Sequence, residues 1–128
     1  MQQITIGTAH TSHLTVEEQH TAQALGSGNL PVLGTPAMTA LMENAAMEAI
    51  APQLDPTESS VGIALNITHD RASRVGETVS ATATVCTADG RRIDFTVKAV
   101  DSAGRVIGQG THSRFVIDVE KFMSKIEK

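Results

Sequence analysis

The chain has 128 residues, which suits a single domain over residues 1–128 with a real hydrophobic core. Its net charge of −4 argues against a nucleic-acid partner, and its one cysteine, Cys86, excludes an internal disulfide and favours a reducing compartment. With no signal peptide at Met1–Ile4 and no apolar stretch of roughly 20 residues, we expect a soluble cytoplasmic protein without a membrane partner.

The first third of the chain is predicted to hold short elements only. Residues from about Ile4 to Val16 contain Thr and Val and should be extended. Glu17 to Leu25 fits a short helix, which the flexible segment Gly26-Ser27-Gly28-Asn29 would end.

The principal helix is predicted to run from about Pro36 to Ala51. Thr35 suits the capping position, and Pro36 suits the first helical position because it has no N–H to lose. Apolar residues then recur at helical spacing and predict a core stripe of Met38, Leu41, Met42, Ala45 and Ala49.

A single carboxylate, Glu43, interrupts the apolar first part of this helix, residues 36–46. Glu43 lies about 100° round the helix axis from Met42, on a strip of mostly apolar residues. No Lys or Arg stands three or four residues away on either side to pair with it. Such a glutamate either reaches solvent where the helix is uncovered or belongs to a site, and the sequence pattern leaves both interpretations open.

After Pro52 and Pro56 the apolar period changes to two residues. The runs 61–67, 79–85 and 93–99 alternate apolar residues with polar or small ones, which predicts strands with one buried face and one wet face. Asp89-Gly90 and Ala103-Gly104 are turn signals that join neighbouring strands as antiparallel hairpins. The tail from Val119 to Ile126 predicts a final short helix.

These elements predict a two-layer α+β domain, with one long helix against one antiparallel sheet. The helix is apolar over most of its circumference, so the sheet should curl around it, as in the hotdog fold. The alternative is a flat open-faced sandwich whose helix is covered by a second subunit. Both arrangements leave apolar surface in need of cover, so we expect a homodimer and leave open whether dimers pair further.

Several segments together resemble the fluoroacetyl-CoA thioesterase group of hotdog proteins. Their order, spacing and turn positions agree from about Ile6 to Lys125, and the matching segments are residues 35–43, 62–64, 66–69 and 108–114. Members of that group hydrolyse acyl-CoA thioesters with a Thr, a Glu and a His. The resemblance implies those roles for Thr35, Glu43 and His69, an acyl-site role for Gly62, and no cofactor.

The residues themselves support part of this chemistry. His69 has the parity of the apolar residues of its strand, so its side chain should point towards the helix. Thr35 and Glu43 lie two turns apart, with a rise of about 12 Å, and cannot touch within a straight helix. Backbone amides at the helix start, around Thr35 to Ala37, are natural oxyanion donors, because a helix N-terminus carries partial positive charge.

The chain is acidic overall, so only a few cations are available to attract the phosphates of a CoA substrate. We expect Arg114 to contact the CoA end at the surface, with Arg71 or Arg74 as the next candidates. The chain has no Trp or Tyr and only three Phe, which argues against ligand recognition by aromatic stacking.

Each candidate residue also has an ordinary structural interpretation. Thr35 could be only a helix cap, and His69-Asp70 could be only the dipeptide that follows a strand. The remaining histidines, His112 among them, are scattered without metal-ligand spacing, so we expect no metal.

Three function classes follow from these observations. The first is a homodimeric acyl-CoA thioesterase, and the second is an acyl-CoA binding domain without hydrolysis. The third is a hotdog hydratase acting on enoyl thioesters, which would need an Asp and a His where this chain has Thr35-Pro36. The family's Phe-rich lid matches the ring-free segment 24–30 here, so the resemblance implies hydrolysis but not fluoroacetyl selectivity.

Overall fold

A computed structural model describes residues 1–126. It contains five strands and three α-helices, together with 3₁₀ turns at Glu18–His20 and Ala51–Gln53. The strands are β1 (Ala9–Thr15), β2 (Glu58–His69), β3 (Thr78–Asp89), β4 (Arg92–Val100) and β5 (Val106–Asp118). The helices are α1 (Ala22–Leu25), α2 (Thr35–Ile50) and α3 (Val119–Ser124).

The strands form one antiparallel sheet in the order β1-β3-β4-β5-β2, and the sheet curls around α2. Asp89-Gly90 joins β3 to β4 and Ala103-Gly104 lies between β4 and β5, as the turn signals predicted. The helix packs chiefly on β3 and β1 and contacts β2 least. The predicted two-layer α+β architecture is therefore confirmed.

The core lies between α2 and the inner face of the sheet. All five residues of the predicted stripe are buried, and they pack with alternate residues of the central strands. Burial of each Val, Leu, Ile, Phe or Met side chain in this layer contributes about 1.5–3 kcal/mol, so the layer is a main source of the stability of the domain. The largest fully buried side chains include Phe95, Met38, Met42, Ile50, Ile93 and Ile107.

Strand β2 departs from the predicted alternation. Its register on β5 shifts between Gly62 and Ala64, so Ile63 is the extra residue of a β-bulge. The expectation that Val61 and Ile63 share the helix-facing side with His69 is wrong, because one extra residue reverses the parity of a strand. Ile63 is 48% exposed and Leu65 39% exposed, because β2 is an edge strand that α2 covers little.

The short elements are also shorter or more irregular than predicted. The extended N-terminal segment becomes a strand only at Ala9, and the predicted helix over 17–25 divides into a 3₁₀ turn and α1. Thr21 separates them because its side chain accepts a hydrogen bond from the Ala24 N–H and so begins a new helix. Helix α3 ends at Ser124, two residues before the predicted Ile126.

The segment between α1 and α2 is a closed loop and not a loose connection. The Ala22 N–H donates to the Val32 carbonyl and the Gln23 N–H to the Leu30 carbonyl. Residues 26–29, which include the predicted flexible segment, therefore form the tip of a loop whose stem is hydrogen-bonded. We call residues 21–34 the lid loop.

Candidate active site

Thr35 and His69 form the first part of the candidate site. The Thr35 Oγ1 and the His69 Nδ1 lie 2.8 Å apart, within hydrogen-bond distance. The predicted capping role of Thr35 is wrong, because Gly34 is the N-cap of α2 and no side-chain capping bond forms there. Thr35 is instead the first helical residue, Pro36 the second, and the threonine hydroxyl is committed to the histidine ring.

Three features of the surrounding backbone fix the position of His69. It is the last residue of β2 and pairs with Gly108 of β5. A Cβ on Gly108 would lie 2.6 Å from the Thr68 carbonyl oxygen and 2.7 Å from the Met38 sulfur, so only glycine lets strand and helix approach this closely. After the histidine, the Asp70 and Arg71 N–H groups both donate to one carbonyl of β5.

His69 lines a cavity of about 260 Å³ between the start of α2 and the lid loop, with small side chains such as Ala22 and Ser27 opposite. The His69 Nε2 is buried and has no hydrogen-bond partner among residues 1–126. Burial lowers the pKa of His69, and the nearby Asp70 carboxylate only partly offsets this. The ring is therefore neutral at pH 7, as a proton acceptor must be.

Glu43 belongs to a second cluster, next to Gly62 on β2. A Cβ on Gly62 would lie 3.0 Å from the Glu43 Oε2 and 3.1 Å from the His112 Cε1. The same Cβ would lie 3.5 Å from an Arg114 Nη1, so this glycine leaves a space that three functional side chains border. Gly62 therefore provides room at the site, the property that its predicted acyl-site role requires.

Arg114 is held rigidly behind this space. Its Nε donates to the Ser60 hydroxyl at 2.8 Å, and its Nη2 donates to the Ser60 carbonyl at 2.9 Å. Its Nη1 lies 3.1 Å from the His112 Nε2. The side chain is 6% exposed, so the prediction that Arg114 meets phosphates at the surface is wrong. An arginine can be buried here because these partners satisfy its donors.

His112 was not singled out by the sequence, although it shares the inner face of β5 with Arg114 at a spacing of two residues. Its Nδ1 lies 2.8 Å from the Ala64 carbonyl, and a carbonyl can only accept, so the proton is on Nδ1. The Nε2 lone pair then accepts from Arg114. Burial lowers the pKa of His112, and the Arg114 charge lowers it further.

The Glu43 carboxylate is half-buried and forms no hydrogen bond or ion pair with any residue in 1–126. Its negative charge opposes the lowering of the pKa of Arg114 that burial causes. Glu43 is thus a carboxylate beside a buried cation, with its oxygens still available. This environment does not fit the interpretation of a solvent-facing helix residue.

The two parts of the site are well separated within one chain. Glu43 and Thr35 lie eight residues apart on α2, a rise of about 12 Å. Gly62 and His69 lie seven residues apart on β2, or about 23 Å. The structure therefore places Thr35 next to His69, and Glu43 next to Gly62 and Arg114. Within one chain these two groups of residues do not meet.

Neither a metal nor a membrane segment is indicated. Residues 1–126 contain no group of three or more His, Cys, Asp or Glu side chains placed to hold a metal ion. Within the same range, every helix is too short or too polar to span a bilayer.

Comparison with known proteins decides the family. The family model described as "Fluoroacetyl-CoA-specific thioesterase" matches residues 16–120. The chain belongs to this family. The fluoroacetyl-CoA thioesterase of Streptantibioticus cattleyicolor is 43% identical over 97 residues, which are 76% of this chain and 69% of that protein.

Solved structures agree with that assignment. The fluoroacetyl-CoA thioesterase FlK is 37% identical, with a TM-score of 0.90 over 97% of this chain and 96% of that chain. A threonine-to-serine mutant of FlK in complex with acetyl-CoA matches at 36% identity, with a TM-score of 0.90 and 96% of each chain covered. A Thermus thermophilus member of the thioesterase superfamily, at 24% identity and a TM-score of 0.91 over 98% and 93% of the two chains, supports the fold alone.

These comparisons confirm the predicted hotdog fold and the prediction of an acyl-CoA thioesterase. They favour hydrolysis over the binding-domain and hydratase alternatives, because the matching family is one of thioester hydrolases.

The half-buried His69 and the buried His112 indicate an acid-sensitive fold. Their folded-state pKa values lie below the ordinary 6.5, so the unfolded chain binds more protons below that pH. The contribution of the two neutral histidines to the free energy of unfolding is fully present above about pH 6.5. It is lost as the pH falls through their folded-state pKa values. The melting temperature should therefore fall between pH 7.5 and 5, by roughly 4 °C for each 1 kcal/mol lost.

The control for this measurement is His13, an exposed histidine on β1. The His69→Gln and His112→Gln changes should each reduce the pH dependence of the melting temperature, and His13→Gln should leave it unchanged. A double His69→Gln, His112→Gln variant with the wild-type pH dependence would contradict the assignment.

Proposed function

We propose that the chain hydrolyses small acyl-CoA thioesters with Thr35, Glu43 and His69, at a site formed where two protomers of a homodimer meet. The observation that carries the proposal is the Glu43 carboxylate. It is half-buried beside Gly62 and Arg114 and has no partner of its own in residues 1–126. A carboxylate held available in this way is suited to act on a carbonyl carbon, either as a base or as a nucleophile.

Hydrolysis requires a new C–O bond at the thioester carbon, loss of the C–S bond and a proton for the departing thiolate. Glu43 would take the proton of the attacking water, or would attack the carbon itself and be released by water. The neutral His69 would accept a water proton, directly or from Glu43, and pass it to the departing thiolate, and the hydrogen bond with Thr35 would hold its ring in place.

The developing oxyanion needs a donor near the start of α2. Pro36 has no N–H, and the Ala37 N–H already donates to the Gly34 carbonyl at 3.0 Å. Of the backbone N–H groups from Thr35 to Ala37, only that of Thr35 therefore remains for the substrate. It lies at the positive end of the helix dipole, where negative charge is favoured. Pro36, exposed beside it, would contact the bound thioester.

A second protomer would join the two parts of the site. Strand β2 is a 12-residue edge strand that exposes Ile63 and Leu65, features that invite pairing with another strand. Two β2 strands that pair antiparallel are related by a twofold axis, which passes through one point along each strand. If that point lies between Leu65 and Asn66, Gly62 and His69 are equally distant from it. Such pairing would place His69 opposite Gly62 of the partner subunit, and so near the partner subunit's Glu43.

The proposal predicts a large effect of removing the carboxylate. Glu43→Gln keeps the size and hydrogen bonding of the side chain, so kcat for acetyl-CoA should fall by about 10² to 10⁴, the usual cost of losing an acid–base group. His69→Ala should have a similar effect, and Thr35→Ala a smaller one. The matched control is Glu48→Gln, which removes an exposed carboxylate from the same helix.

Sedimentation of the Glu43→Gln variant would establish that its assembly is unchanged, so that the loss reports on chemistry. Near-normal turnover by a correctly assembled Glu43→Gln enzyme would rule out this mechanism.

The acyl group is the second part of the proposal. The cavity at His69 is bordered on the lid-loop side by Ala22, Ser27 and Val32, and no phenylalanine lies among the described residues that line it. Side chains of this size cannot pack tightly on a two-carbon acyl group, so fluoroacetyl and acetyl should be poorly distinguished. We expect their kcat/KM values to differ by less than about 100-fold, the scale that small apolar contacts provide.

Steady-state kinetics with the two thioesters tests this directly. A preference for fluoroacetyl-CoA of several orders of magnitude would show that the lid loop excludes water and packs more closely than its side chains suggest.

A further inference from the structure

His112 borders the space at Gly62, and the hydrolysis proposed above gives it no task. The side chain is buried on the inner face of β5, where it pairs with Phe95 of β4. A Cβ on Gly62 would lie 3.1 Å from the His112 Cε1, so the edge of the ring forms part of the wall of this space. Burying a ring with two polar nitrogens has a cost unless both find partners. The partners of the two nitrogens therefore show what the ring does.

The His112 ring is held on three sides. Its Nδ1–H donates to the carbonyl of Ala64, the residue that follows the β2 bulge, at 2.8 Å. The Phe95 ring stacks on it, with centroids 6.2 Å apart and an interplanar angle of 26°. Burial lowers the pKa of His112, although the Ala64 hydrogen bond and the Glu43 charge oppose this, so the ring is neutral at pH 7. The Nε2 is then an acceptor in a fixed position, 3.1 Å from the Arg114 Nη1.

This acceptor decides the tilt of the Arg114 guanidinium. Ser60 binds one edge of the planar group, because its hydroxyl and its carbonyl accept from Nε and Nη2. Two hydrogen bonds along one edge still allow the plane to tilt about that edge, and such a tilt moves Nη1 most. His112 binds Nη1, so it supplies the third contact that stops the tilt.

Glu43 is the group that a tilted guanidinium would meet. The Glu43 Oε2 and the Arg114 Nη1 lie 3.0 and 3.5 Å from the same point, the place of a Cβ on Gly62. The two nevertheless form no ion pair in residues 1–126. A carboxylate and a guanidinium that border one small space gain from pairing, which gives short and strong hydrogen bonds. The bond from Nη1 to His112 opposes that pairing, because it commits Nη1 to the ring.

We propose that His112 is a positioning residue for thioester hydrolysis: its neutral ring holds the Arg114 guanidinium away from Glu43 and so keeps the Glu43 oxygens available to the substrate. This inference rests on the proposed function, because it takes Glu43 to be the group that acts on the thioester. A carboxylate bound in an ion pair is a weaker base and a weaker nucleophile. His112 acts through Arg114, and its role requires no contact with the reacting atoms.

Two amide variants separate the two contacts of the ring. His112→Asn keeps a donor for the Ala64 carbonyl but is too short to reach the Arg114 Nη1, whereas His112→Gln places an amide oxygen near the position of Nε2. We expect His112→Asn to lower kcat for acetyl-CoA by about 10²-fold, the scale of a small displacement in a site, with little change in KM. His112→Gln should retain most of the wild-type kcat. The matched control is His13→Asn, which changes an exposed histidine on β1 and should have no effect.

Crystal structures test the displacement without an assay of activity. In the His112→Asn variant, the Arg114 Nη1 should lie at ion-pair distance from the Glu43 carboxylate. His112→Leu, which fills the place of the ring and cannot accept a hydrogen bond, should show the same displacement and a similar loss of kcat. Melting temperature and sedimentation of each variant establish that it is folded and assembled.

A double variant tests whether His112 acts through Arg114. In an Arg114→Met background no guanidinium is left to pair with Glu43, so His112→Asn should cause no further loss of kcat. A merely structural role of His112 would instead add its own loss, because it does not depend on the guanidinium.

The inference is overturned if Arg114 stays in place in the His112→Asn and His112→Leu structures. Equal kcat values for His112→Asn and His112→Gln, whether reduced or normal, would overturn it as well, and so would a further loss in the Arg114→Met background. The proposed function fails by a different result: the wild-type enzyme hydrolyses no acetyl-CoA, or Glu43→Gln turns it over at a near-normal rate.

Discussion

The separation of Glu43 from the Thr35–His69 pair is the constraint on which the account of this protein depends. An α-helix rises 1.5 Å per residue, so eight residues of α2 hold the backbones of Glu43 and Thr35 about 12 Å apart. Strand β2 separates Gly62 from His69 by a still larger distance. In the proposed mechanism each chain carries two fragments of a site, and a partner aligned along β2 would bring unlike fragments together.

Electrostatics within each fragment suits a shared task. Arg114 can be buried because Ser60 and His112 accept its hydrogen bonds, and the Glu43 carboxylate lies beside it. At the other fragment, burial keeps His69 neutral and leaves its Nε2 without a partner in residues 1–126. In the proposed mechanism one fragment supplies the Glu43 carboxylate, and the other supplies a neutral imidazole that can accept a proton and pass it on.

The sequence predicted the features that depend on local period and turn chemistry. The apolar stripe of α2 and the Asp89-Gly90 turn follow from spacing and residue type, and both are confirmed. The bulge at Ile63 was missed because it depends on the register between β2 and β5, which no local pattern encodes. Arg114 was predicted at the surface as one of the few cations that could attract the CoA phosphates, and His112, two residues earlier, was passed over. The burial of both depends on tertiary partners that no local pattern encodes.

Subunit complementation tests the shared site most directly. Glu43→Gln and His69→Ala chains, each inactive alone, are unfolded together and refolded, and native mass spectrometry measures the heterodimer fraction. If each site takes Glu43 from one protomer and His69 from the other, one of the two sites in every heterodimer is intact. Statistical mixing should then restore about a quarter of wild-type activity. Heterodimers that form in the expected proportion without restored activity would contradict the account.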